Sequence, residues 1–199
     1  MKSDVIHVTS GGSGIDSAFK QTEAVAVFKS LSAKDAIRLR LLTEEMMGMM
    51  QAITGEREAD FWIEDSDSIF SLHLKSETAM NSKMRKRLLS ASTSGKNASA
   101  RGVMGKIRDV FERMLEPYDD TFSDVYAAGM ALSGADIGYF SPEAACVWSL
   151  NKYRDTVRKG HAPKEDWDEL EQSIIANIAD EVKIGIEDKT VELTVYKKF

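Results

Sequence analysis

Apolar and polar residues alternate over Asp4–Thr9, DVIHVT, and predict a first strand. SGGSG at 10–14 breaks the alternation, and the period then changes. Ile15, Phe19, Thr22, Val25 and Phe28 recur at helical spacing, predicting a helix over 16–30. Ser32 and Asp35 form a capping-box-like pair, with Asp where Glu is usual, ahead of a second helix over 33–53. Its apolar set, Ile37, Leu41, Met46, Met49 and Met50, is wide, and Gly55 ends it. ADFWIE and IFSLHL, separated by the turn-rich DSDS, predict a hairpin.

The basic NSKMRKRLL reads as a short helix, and the lid-like ASTSGKNASA that follows is nearly free of large apolar residues. From Gly102 onward, Val103, Ile107, Val110, Phe111 and Met114 mark one face of a helix that stops before Pro117. Residues 117–140 are less regular. Ser141-Pro142-Glu143 has proline at a first helical position, so a helix is expected from there to Lys159, closed by Gly160. Lys164–Asp180 reads as another, with Trp167, Leu170, Ile174, Ile175 and Ile178 inward. EVKIGIE and TVELTVYKK around Asp188-Lys189 predict a second hairpin. There is no internal repeat and no clear linker, so a single α+β domain is the simplest account.

Composition narrows the picture. The chain has 199 residues, 43% of them hydrophobic, enough for one sizeable core. A net charge of −6 argues against nucleic-acid binding, which favours a basic face. No apolar run approaches the roughly 20 residues that cross a bilayer, so no membrane association is expected. The N-terminal stretch has no long apolar segment of the secretory kind. The one cysteine, Cys146 in AACVWSL, rules out an internal disulfide and reads as a buried core thiol. A cytoplasmic location is expected.

Three stretches could carry chemistry. SGGSG sits between a strand and a helix, where a phosphate loop would lie, but it matches neither GxxxxGK[ST] nor GxGxxG and reads as a turn. Residues 94–111, SGKNASARGVMGKIRDVF, open a helix with Gly102, Gly105 and Lys106. The unpaired N–H groups of such a helix start can hold an anion, while close packing or a bent loop explains the glycines equally well. In TEEMMGMM, Glu44 shares a helix face with Leu41 and Gly48. It is either a water-activating base or metal contact, or an edge position reaching solvent. The methionines read as core filler. His7, His73 and His161 fit no zinc or triad spacing, and KMRKR at 83–87 reads as a solvated helix face.

A strand, a helix, a second helix carrying LLTEEMMG, a hairpin, a small-residue lid and a glycine-opened helix together resemble the GHKL (Bergerat-fold) ATPases. The nearest types are the anti-sigma-factor serine kinases and histidine-kinase ATPase domains. The resemblance implies a sandwich of a mixed or antiparallel sheet covered by helices. Residues 1–116 would form the ATP-binding core, 117–180 a helical insertion and 181–199 the hairpin completing the sheet. It implies ATP and Mg²⁺ as ligands and Glu44 as the base. Gly102, Gly105 and Lys106 would hold phosphates, Lys96 and Asn97 would close over them, and Gly48 stands where the family has a Mg²⁺-holding Asn. In KSETAM, Lys75 falls on the adenine-reading Asp, and Glu77 and Ala79 replace glycines. These departures imply weak or absent activity as an ATPase or serine kinase. The alternative implication is an inactive domain that regulates a protein partner, anti-sigma-like or as a two-component accessory, with a homodimer also within the family's habits.

Overall fold

The computed structural model describes residues 1–52, 56–77, 103–105, 107–108, 145–159, 170–187 and 190–199. KMRKR at 83–87, the lid with Lys96 and Asn97, Gly102, Lys106, residues 117–140 and His161 lie outside them.

The chain opens with β1 (Ile6–Thr9), α1 (Ile15–Phe28), α2 (Ala33–Ala52), β2 (Glu58–Ser66) and β3 (Ile69–Glu77). Later come β4 (Ala145–Ser149), α3 (Leu150–Arg158), α4 (Ile174–Ile178), β5 (Glu181–Glu187) and β6 (Thr190–Lys198). The six strands form one sheet in the order β1-β2-β3-β6-β5-β4, and every pairing is antiparallel. The terminal hairpin therefore enters beside β3, with Leu74 opposite Leu193 and Leu72 opposite Val195. This is an α+β architecture.

Strand parity divides the sheet into two faces. Val8, Phe61, Ile63, Phe70, Leu72, Leu74, Val182, Ile184, Leu193 and Val195 point inward, all at most 2% exposed, into one core shared with α1 and α2. The other face carries His7, Asp60, Trp62, Glu64, His73, Lys75, Lys183, Glu192 and Tyr196, which alternate with those core residues along the strands. There Trp62 stacks on His73 at 4.7 Å and 1°.

SGGSG is a turn that starts α1. Gly14 is the N-cap at φ 77°, and a Cβ on it would meet His7 O at 2.0 Å. Only glycine fits there without moving β1. Two buried hydroxyls then join the helices: Thr22 Oγ1 and Thr43 Oγ1 lie 3.0 Å apart, and each also donates to a carbonyl one turn back.

The buried faces differ in part from those expected. On α1, Ile15, Thr22 and Val25 face inward as expected, joined by Ala18 and Ala26, but Phe28 is 73% exposed. On α2 the buried set is Leu39, Leu42, Thr43, Met46, Met47, Met49 and Met50. Ile37 is 61% exposed and Leu41 half-buried, because the Leu39–Leu42–Met46–Met50 register puts more apolar surface against the sheet.

The helix expected from Ser141 to Lys159 is corrected. Residues 145–149 form β4, an edge strand paired with β5, and the helix starts only at Leu150. Ser149 is the reason for the switch: extended at φ −140°, it accepts from Lys152 N at 3.3 Å as the N-cap of α3. The 117–180 span thus contributes a strand to the sheet and is not wholly helical. The helix expected over 164–180 is likewise broken at Ser173, which caps α4 by accepting from Ala176 N. Arg154 of α3 closes the other end of α4, donating to the carbonyls of Ala176, Ala179 and Asp180.

Candidate functional site

The α2 register decides where Glu44 lies. With Leu39, Leu42, Met46 and Met50 turned to the sheet, the stripe Ile37–Leu41–Glu44–Gly48 is turned away from it. Glu44 is therefore the solvent-reaching residue of the two alternatives, with 44% of its side chain exposed.

It is not free to wander. Arg40, one turn earlier, donates from Nε to Glu44 Oε1 at 2.9 Å, and its Nη1 pairs with Glu23 of α1. The guanidinium also lies over the Phe19 ring at 4.1 Å. Three anchors on two helices fix Arg40. Arg40 in turn fixes one Glu44 oxygen and leaves the other open.

Glu45 behaves differently. Burial, reinforced by the neighbouring Glu44 charge, pushes its carboxyl above the usual range. The adjacent pair thus splits into an open carboxylate and a more readily protonated one.

Gly48 follows Glu44 by one turn. It is exposed within a 20-residue helix, and a Cβ on it would meet nothing within 4 Å. Gly105 is placed otherwise: it lies in the helical 103–105 turn and is buried, as are Val103 and Ile107. Of the remaining expected contacts, Lys96, Asn97, Gly102 and Lys106 are outside the described residues.

Strand parity also relocates one position. Lys75 pairs with Asp60 and Glu192 on the outer face, while Ser76 points inward at 3% exposure. Its hydroxyl donates to Glu58 O at 2.6 Å, which leaves its lone pairs as acceptors. Sequence reading missed Ser76, although the alternation in IFSLHLKS placed it on the Phe70–Leu72–Leu74 face. The Arg40–Glu23 link, between residues 17 apart in sequence, carried no local signal at all.

The donor set around Glu44 does not suit a protein-held Mg²⁺. Arg40 occupies one oxygen, Gly48 offers no side chain, and no group of three His, Cys, Asp or Glu that could hold a metal occurs among the described residues.

Two other clusters lie away from α2. His73 Nδ1 donates to Glu192 Oε1 at 2.6 Å, tying β3 to β6 and holding the Glu192 carboxyl below its ordinary range. At the opposite end of α1, a cleft of about 300 Å³ is lined by Lys29, Asp65, Asp67, Phe70 and Phe199, with Lys29 paired to Asp65. Among the described residues no helix is long and apolar enough to cross a membrane. Comparison with protein-family models, curated proteins and solved structures returns no match for this chain.

Proposed function

We propose that this chain is a nucleotide-binding protein of the GHKL (Bergerat) type with an atypical site. The observation that carries the reading is the open stripe on α2, where Glu44 and Gly48 sit one turn apart on the face turned away from the core. The setting agrees with it. Two helices follow the first strand, a hairpin follows them, and the terminal hairpin enters the sheet beside β3. Ser76, at the inward end of β3, takes the place that the sequence comparison gave to Lys75, and it offers a base an acceptor instead of a carboxylate.

In this reading Glu44, its free oxygen unencumbered by Arg40, is the base that orients an attacking water. The donor set gives Mg²⁺ no protein cage, so no step is routed through the metal. The phosphate contacts at Lys96, Asn97, Gly102 and Lys106 carry no part of the argument.

The deciding experiment is calorimetric titration with ATP and ADP, with and without Mg²⁺, followed by hydrolysis assays on wild type and Glu44→Ala. Micromolar binding is expected for wild type and variant alike, with turnover reduced about 100-fold or more in the variant. Stability should change by less than ~1 kcal/mol, since an exposed i, i+4 pair contributes little. Equal turnover would remove Glu44 from its role, and absence of heat with either nucleotide would retire the nucleotide reading.

A second reading has its own support. Val27, Phe28 and Ile37 are 79%, 73% and 61% exposed on the α1–α2 layer, and Gly48 offers no amide for a metal. Those features favour a non-hydrolytic domain that regulates a protein partner, as an anti-sigma-like factor or two-component accessory. Nucleotide binding without any turnover in wild type would select it.

A further inference from the structure

Gly48 stands where a glycine is hard to explain from within the molecule. It lies in the interior of α2, between Ala33 and Ala52, where glycine is among the least favourable residues. Two reasons ordinarily keep a glycine in a helix: a left-handed backbone, or a neighbour so close that a methyl group cannot enter. Neither applies. The positive-φ glycines among the described residues are Gly12 and Gly14, and a Cβ at Gly48 would have open space on every side to 4 Å. Gly14, by contrast, shows what a structural glycine looks like here, with a carbonyl oxygen 2.0 Å from its missing Cβ.

The surroundings of Gly48 point the same way. Ile37 and Leu41 on its stripe are apolar, yet the fold leaves the first 61% exposed and the second half-buried. Glu44, one turn before Gly48, has one oxygen pinned by an arginine that is itself anchored on both helices. An apolar shoulder, a held carboxylate and a gap in the side-chain row thus follow one another along α2.

We infer that Gly48 is a ligand-contact position: the missing side chain lets a nucleotide lie against the α2 backbone beside Glu44. The inference rests on the nucleotide reading above. It adds that the glycine serves binding at the expense of the helix, so the two properties must move in opposite directions on substitution.

The test uses Gly48→Ala and Gly48→Leu in the full chain, read by thermal unfolding and by calorimetric titration with ATP. Both residues favour helix, so Tm should rise by about 2–4 °C in each. The dissociation constant for ATP should weaken, about tenfold for alanine and further for leucine, as the side chain fills the approach. A fall in Tm would show that the glycine is needed by the fold and would overturn the inference. A rise in Tm with unchanged ATP affinity would overturn it as well, leaving Gly48 an unremarkable surface residue. If wild type itself binds no ATP, the nucleotide reading fails and this inference falls with it. That outcome is told apart from the others because it is seen before any substitution.

Discussion

At the residue scale, the glycines separate by what surrounds them. Gly12 and Gly14 both have positive φ, but only Gly14 has backbone against its missing Cβ; at Gly12 the nearest atom is Gln51 Nε2 at 3.5 Å. Gly14→Ala is therefore expected to cost more than ~2 kcal/mol, combining left-handed strain with a collision that must move β1. Gly12→Ala should cost about 1 kcal/mol, the strain alone. Urea denaturation of the two variants checks the order, and equal losses would mean that the turn relaxes freely around Gly14. The sequence showed SGGSG to be a turn from its place between strand and helix. It could not rank the glycines, because the ranking depends on His7 O, which folds back from β1. The same holds for Glu44. Its spacing from Gly48 was legible, but whether that face was buried depended on which apolar register of α2 won against the sheet.

At the scale of elements, α1, α2, β1, β2, β3, β5 and β6 were legible within a few residues, because each has a clear period and a turn at its ends. β4 was not. The apolar positions Leu150, Tyr153 and Val157 do form a helical face, and the Ser-Pro-Glu signal drew its start too far back. What makes 145–149 a strand is its neighbour β5, more than thirty residues later in the chain, a partner no local window contains. The cross-strand tie of β3 to β6 makes an expectation at this scale. Hydrogen bonding from His73, outweighing burial, lowers the Glu192 carboxyl below its unfolded value. A depressed carboxyl adds stability above its unfolded pKa, and that contribution is lost as pH falls through the lower folded value. Glu192→Gln should accordingly be less stable than wild type at pH 7, with the gap closing as the acid range below the model carboxylate value of 4.5 is crossed. Thermal unfolding across that range checks it, and a gap independent of pH would assign the loss to packing instead.

For the whole molecule, the sheet is assembled from the two ends of the sequence. Its centre, β3 beside β6, pairs residues more than one hundred positions apart, such as Leu72 with Val195. Both strands are covered by the core on one face and flanked on both edges, whereas β1 and β4 border the sheet. Hydrogen exchange should therefore be slowest at the amides of Leu72, Leu74, Leu193 and Val195, and faster in β1 and β4. Exchange that is as slow in β4 as in β3 would contradict that order.

The same insertion of the terminal hairpin sets a timetable for synthesis. While residues 190–198 are still inside the ribosome, the nascent chain already holds β1, β2 and β3, with one edge of β3 bare. That edge displays Leu72 and Leu74, with unpaired backbone groups beside a hydrophobic face, and strands of this kind invite pairing with other chains. β5 cannot stand in for the missing partner, because its own place in the sheet is defined by β6. The chain must then be shielded until its last strand is released, and the β3 edge is the surface a chaperone would meet.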